Sequence, residues 1–184
     1  ASLLSARLDL RGNDGWIRRL IGGVGLADGI VITERAAWRA VYVGLPDVFQ
    51  LEIVDGSHGT PAAGSVVRIG KSFVFYLSPH GYVTFDGGQI RWIGKNKIDR
   101  TFWNEVDVTY LSRLWAGYDP VNQRVIVTYS TSGPTPNKVM IYYPHLDRWT
   151  TGDEAVLMVG AGLGLGYTLD QLYPFGTMDT LPFS

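Results

Sequence analysis

The chain has 184 residues, 46% of them apolar and 18% charged, which excludes an intrinsically disordered polymer and fits one folded core or one domain with an appendage. A net charge of −1 excludes a global electrostatic pull toward nucleic acid or an anionic membrane, and the absence of cysteine excludes disulfides and Cys-ligated zinc. The 23 glycines point to many turns and close backbone contacts rather than long helices.

Helical periodicity is nearly missing, and runs with a period of two dominate, rich in Val, Ile, Tyr, Phe and Trp. The first group opens with "WIRRLI" (16–21), passes through a Gly-rich connection "GGVGLADG" (22–29), and continues as "IVITE" (30–34), "AWRAVYV" (37–43) and "VFQLEIV" (48–54). The second group is the clearest: "SVVRI" (65–69), "SFVFYL" (72–77), "YVTF" (82–85) and "QIRWI" (89–93). Its connections are short: Gly70-Lys71, then Ser78-Pro79-His80-Gly81, then the tight Asp86-Gly87-Gly88 turn. Links of this length make consecutive strands antiparallel neighbours.

A helix is expected over "DRTFWNEV" (99–106), with Asp99 as its N-cap and Phe102 and Val106 on one face. The third group follows: "SRLWAGY" (112–118), a turn "DPVNQ" (119–123) with Asp119 leading and Pro120 second, "RVIVTYS" (124–130), "KVMIYY" (138–143) and "RWTT" (148–151). "AVLMVG" (155–160) reads as a strand, and Gly at every second place through residue 166 would strip one of its faces. Residues 167–184 read as an extended arm. From Trp149 onward there is no Lys or Arg, which gives an acidic end. The longest uncharged run, Ala155 to Leu169, falls short of the ~20 apolar residues of a membrane helix, so no span is expected. No signal peptide is visible at the N-terminus.

The second strands of the three groups begin near residues 30, 72 and 124. Four-stranded units recurring every 40 to 50 residues are the mark of a β-propeller. The expected fold is therefore all-β: an array of four-stranded antiparallel meanders over residues 1–155, with units near 16–54, 65–93 and 112–151, and a Gly-rich strand and arm over 156–184. About three to four blades are expected, as part of a larger propeller. "YVTFDGGQIRW" and "MIYYPHLDRW" both read apolar strand, turn, then Trp. Trp92 and Trp149 are thus expected to seal seams between blades, burying on the order of 200 Å² each. On this reading Gly81, Asp86, Gly87, Gly88, Asp119 and Pro120 are turn residues of the architecture.

Chemistry is sparse. His58, His80 and His145 each fall in an expected turn, and none has a second His at metal-ligand spacing. Ser57 and His58 are adjacent, but there is no G-x-S-x-G elbow. The Gly runs are not followed by helical patterns, so no dinucleotide is expected. Glu34, Glu52, Asp55 and Glu105 are candidates for a glycosidase pair, and Arg18, Arg19, Arg35 and Arg39 for binding a substrate carboxylate. "FDGGQ" resembles the Asp-box turn of sialidases but lacks the leading Ser. Arg91, Lys95, Lys97 and Arg100, with Trp92 among them, form a basic-aromatic cluster of the kind that contacts single-stranded nucleic acid, though acidic neighbours favour a solvated loop or a subunit contact. No catalytic, cofactor-binding or metal-binding residues are assigned.

The order of segments carries a resemblance. "GIVITERAAWRAVYVG" (29–44), "GSVVRIGKSFVFYLSPHGYVTFDGGQIRWIGKNKIDRTFW" (64–103), "YDPVNQRVIVTYS" (118–130) and "IYYPHLDRWTT" (141–151) together resemble the propeller-bearing tail nozzle, or packaged-DNA stabilisation, proteins of short-tailed bacteriophages. The resemblance implies a non-enzymatic virion protein without cofactors. It implies a homo-oligomeric ring, commonly a hexamer, bound to other tail proteins, with packaged DNA passing through its channel without sequence-specific contacts. Assembly would take place in the host cytoplasm. The alternatives are a glycan-binding or glycan-cleaving propeller and an intracellular scaffold of the kelch type.

Overall fold

The computed structural model describes residue 10 and residues 14–45 and 48–160. The fold is all-β and propeller-like: three four-stranded antiparallel meanders, each built from consecutive strands. The first sheet holds β1 (Ile17–Val24), β2 (Ala27–Thr33), β3 (Ala37–Gly44) and β4 (Val48–Asp55). The second holds β5 (Val67–Ile69), β6 (Phe73–Ser78), β7 (Gly81–Phe85) and β8 (Ile90–Trp92). The third holds β9 (Trp115–Asp119), β10 (Arg124–Tyr129), β11 (Lys138–Tyr143) and β12 (Arg148–Gly152). A helix, α1 (Asp99–Glu105), bridges the second sheet to the third.

The sheets stack face to face because the middle one is apolar on both sides. Residues opposite one another across a ladder share a face. In the second sheet Val74, Phe85 and Ile90 therefore point one way, with Tyr76 and Val83. These pack with Ile30, Ile32 and Ala37 of the first sheet. Phe75, Leu77 and Tyr82 point the other way, into a core shared with Val125, Val127, Met140 and Tyr142 of the third sheet and with Phe102 of α1. The opening strands converge: Arg19 of β1, Arg68 of β5 and Gly117 of β9 line one groove, and the Arg68 guanidinium donates to the Gly23 carbonyl at 2.7 Å. First strands gathered on one side of stacked sheets are what a propeller-like arrangement requires.

The linker between the first two sheets is tied down by polar bonds. Thr60 N–H donates to the Thr33 carbonyl, and the Thr60 hydroxyl donates to the Leu77 carbonyl at 2.8 Å. Ser65 Oγ in turn accepts the Leu77 N–H. The Thr60 and Ser65 side chains are fully buried, so their bonds also satisfy groups that water cannot reach.

Five local expectations are corrected. The run 22–29 is not a long connection: Gly22 pairs with Gly29 and Val24 with Ala27, leaving a two-residue turn at Gly25-Leu26. Gly25, at φ +56°, supplies the positive φ that such a tight hairpin needs. The strand expected from residue 65 begins at Val67, after a 3-10 turn at Ala63–Ser65. The strand expected from residue 112 begins at Trp115, after 3-10 turns over Val108–Arg113. Asp99 does not cap α1: the cap position is Ile98, and the Asp99 carboxylate accepts the Tyr82 N–H at 3.0 Å instead. Residues 155–160 form no strand. The Gly-alternating stretch beyond 160 and the arm expected over 167–184 lie outside the described residues.

Candidate functional site

The Asp86-Gly87-Gly88 turn sits at a junction between sheets. Asp86 Oδ1 accepts the N–H groups of Gly88 and Gln89, both at 2.8 Å, which fixes the loop as an Asx-type turn. Its outer surface receives the β1–β2 hairpin tip: Leu26 N–H donates to the Asp86 carbonyl at 3.0 Å, and Gly25 N–H to the Lys71 carbonyl at 2.8 Å. Gly87 has φ +86°, and a Cβ there would fall 2.7 Å from the Ala27 Cβ. The glycine is needed both for its backbone conformation and for the approach of the neighbouring sheet.

Asp119 plays the corresponding part in the β9–β10 turn. Its Oδ1 accepts from Val121 and Asn122 N–H, and its Oδ2 from Asn122 Nδ2 at 2.7 Å and Arg124 Nε at 3.0 Å. The Asn122 side chain and N–H, with Arg124 and Val121, hold its pKa down to about 2. Pro120 is exposed at the tip of this loop. Gly81 opens β7 at φ +130°, with its missing Cβ replaced by the Asp99 carboxylate.

The two tryptophans occupy different environments. Trp149 lies in the seam between the second and third sheets, its ring 4.8 Å from Tyr142 and 5.0 Å from Tyr82, and its Nε1–H donates to the Ile93 carbonyl at 3.0 Å. Trp92 is 38% exposed. It packs edge-on against His58 at 4.8 Å, with His80 near and the Lys95 ammonium over its ring.

His58 belongs to a cluster with nucleophile, imidazole and carboxylate together. Asp55 Oδ1 lies 2.8 Å from both His58 Nδ1 and Ser57 Oγ, and Ser57 Oγ lies 3.1 Å from the same Nδ1. Burial pushes the Asp55 pKa up, but bonds from His58 and Ser57 outweigh it and leave it below the usual range. A hydrolytic triad places the hydroxyl on one ring nitrogen and the carboxylate on the other. Here both sit on Nδ1, while Nε2 is buried without a hydrogen-bond partner. The cluster is a capped turn that closes the end of β4. The sequence reading of Asp55 as half of a carboxylate pair misses these partners; the D-x-S-H spacing of an Asx turn is the signal for them.

The remaining candidates are dispersed. Glu34 pairs with Arg18 and Glu52 with Arg39, each at 2.7 Å. Glu105 accepts from Lys138 at 3.0 Å and from the Tyr129 hydroxyl at 3.1 Å. Arg19 lines the groove between first strands, and the Arg35 backbone N–H donates to the Asp14 carbonyl. Of the basic cluster, Lys97 pairs with Asp147, Arg100 is exposed on α1, and Arg91 lines a cleft of about 180 Å³ with Asp86, Gln89, Trp92 and Asp147. His145 is exposed beside Tyr143. Among the described residues no group of three or more His, Asp or Glu is placed to hold a metal ion, and no helix is long and apolar enough to cross a membrane. Comparison with protein-family models and with curated proteins gives no match to this chain.

Proposed function

We propose that the chain is a structural subunit of a tailed-phage tail, a ring-forming nozzle component that extends the DNA channel and helps retain the packaged genome until ejection. The observation that carries this reading is the use of the polar groups: Asp86 and Asp119 hold turns, and Glu34, Glu52 and Glu105 are each engaged by a cation. Stacked sheets with such seams make a stiff wall. The order of segments supplies the biological setting, through the resemblance to nozzle proteins. Its partners are further copies of itself, a hexamer by that resemblance, and other tail proteins. DNA passes without being held, since phosphate binding requires a surplus of Lys and Arg and the net charge is −1. The test is electron microscopy of the purified protein, with mass spectrometry of virions. Rings, and the protein's presence in particles, are expected. A monomer at micromolar concentration that is absent from virions overturns the proposal.

One observation favours a second reading, glycan binding. The cleft between the second and third sheets puts Trp92 and Phe73 beside Asp86, Gln89, Arg91 and Asp147. Its volume of about 180 Å³ lies below the ~300 Å³ at which small-molecule sites begin, and both carboxylates already have partners, which ranks this reading second. A glycan array with a fluorogenic glycoside assay decides it; silence in both removes it.

A further inference from the structure

The groove where the first strands converge carries an unbalanced charge. Its volume is about 320 Å³, above the ~300 Å³ at which small-molecule sites begin. Val66, Val67, Trp115 and Ala116 give it apolar walls, and Arg19 of β1 and Arg68 of β5 bring two guanidinium groups to it. No Asp or Glu stands among the described residues that line it. Asp119 is next in sequence to the lining, but its carboxylate is engaged by Asn122 and Arg124.

These two arginines differ from those in structural ion pairs. Arg18, Arg39 and Arg124 each meet a carboxylate at 3.0 Å or less. Arg68 instead donates its Nε–H to the Gly70 carbonyl and an Nη2–H to the Gly23 carbonyl, both at 2.7 Å. Carbonyls fix the plane of the guanidinium without cancelling its charge, and Nη1 has no acceptor among the described residues. The Arg19 side chain has no hydrogen bond or ion pair among the described residues. Like charges facing one cavity repel, and low-dielectric walls focus their field on what enters. We propose that this groove binds a small organic anion with two negative charges on oxygen, such as a phosphate ester or a dicarboxylate, its apolar body lying against Val66, Val67 and Trp115. The planar fork of N–H donors on each arginine matches either oxyanion. Two arginines supply too few phosphate contacts to hold a nucleic acid, which favours a small ligand over DNA. The inference rests on this groove alone and stands apart from the tail assignment.

The test is calorimetric titration of the full chain at low salt and about pH 8, where a phosphate ester is doubly ionised. Phenyl phosphate and phthalate are the probes, one for each source of the charge. Saturable binding of at least one is expected, weakened about tenfold or more by Arg19→Gln. Arg148→Gln, an exposed position on the strand farthest from β9 in the third sheet, is expected to leave it unchanged. Binding of neither probe overturns the proposal, as does binding that Arg19→Gln leaves intact or that Arg148→Gln weakens equally. A single-stranded oligonucleotide that binds more tightly than either probe, and loses that advantage in Arg19→Gln, would assign the groove to nucleic acid and overturn it too. Amide chemical shifts of the parent protein give a second readout that needs no variant. The bound probe is expected to move Val67 and Gly117; shifts confined to the cleft at Trp92 overturn the proposal.

Discussion

Asp99 shows how one buried carboxylate fixes the residues around it. Its oxygens occupy the space of two missing side chains: a Cβ on Gly81 would fall 2.1 Å from Oδ2, and one on Gly94 1.9 Å from Oδ1. Burial pushes its pKa up, and the Tyr82 N–H offsets this only in part. An acid whose folded pKa is raised binds its proton more tightly in the folded state than in the unfolded one. That stabilisation is fully present below the unfolded value of about 3.9 and is lost as pH rises through the folded value. Asp99→Asn keeps an acceptor for Tyr82 and removes the charge. Measured by urea unfolding across pH 3 to 8, the stability of the variant is therefore expected to gain on that of the parent as pH rises through this window. A difference independent of pH would show that Asp99 is not penalised by burial. Gly81 was legible in the sequence as a turn glycine. The carboxylate that makes its missing side chain necessary comes from eighteen positions further on, and no local pattern reports such a contact.

At the scale of elements, two hairpins with the same sequence grammar meet different surroundings. "YVTFDGGQIRW" and "MIYYPHLDRW" both end on a Trp, yet Trp149 enters the seam between sheets two and three while Trp92 covers the end of the first linker. Trp149→Ala removes packing against Phe75, Tyr82 and Tyr142 as well as the bond to Ile93, and is expected to cost about 3 kcal/mol. Trp92→Ala, at a site 38% open to solvent, is expected to cost about 1 kcal/mol. Chemical denaturation of the two variants reads the difference; equal losses would mean that the seam gains nothing from its Trp. The hairpins themselves were legible because short turns leave antiparallel pairing as the one option, and Lys138–Tyr143 has the bounds its sequence implies. A segment that carries strand residues but has no partner strand gives the same local signal as a true strand. Residues 155–160 are apolar, but Val159 is used as an acceptor for the Trp115 indole at 2.9 Å rather than in a ladder. The glycines of 22–29 read as a connection because glycine disfavours strands; pairing across Gly22 and Gly29 overrides that propensity.

At the scale of the molecule, the second sheet is what the other two share. Each of its faces supplies part of a different core, so loosening it exposes both, whereas loosening β4 or β12 exposes mostly surface that is already wet. Local opening free energies follow the apolar contacts that opening breaks. Amide hydrogen exchange on the native protein is therefore expected to be slowest at Val74–Leu77 of β6 and Tyr82–Val83 of β7. Both stretches are fully buried; Val74, Phe75 and Val83 are paired on either side, and the Leu77 and Tyr82 N–H groups donate to Ser65 Oγ and to the Asp99 carboxylate. β10 should come next, since it is central in its sheet but covered by packed sheet on one face. The outer strands β4 and β12 should exchange fastest among the ladders, each standing at the edge of its sheet with several exposed residues. A conservative core change tests the same coupling from the other direction: Val83→Ala, on the face toward the first sheet, should speed exchange in β10 as well as in β2. Acceleration confined to β2 would mean that the three sheets open as independent units, and stacking would then describe their arrangement but not their stability.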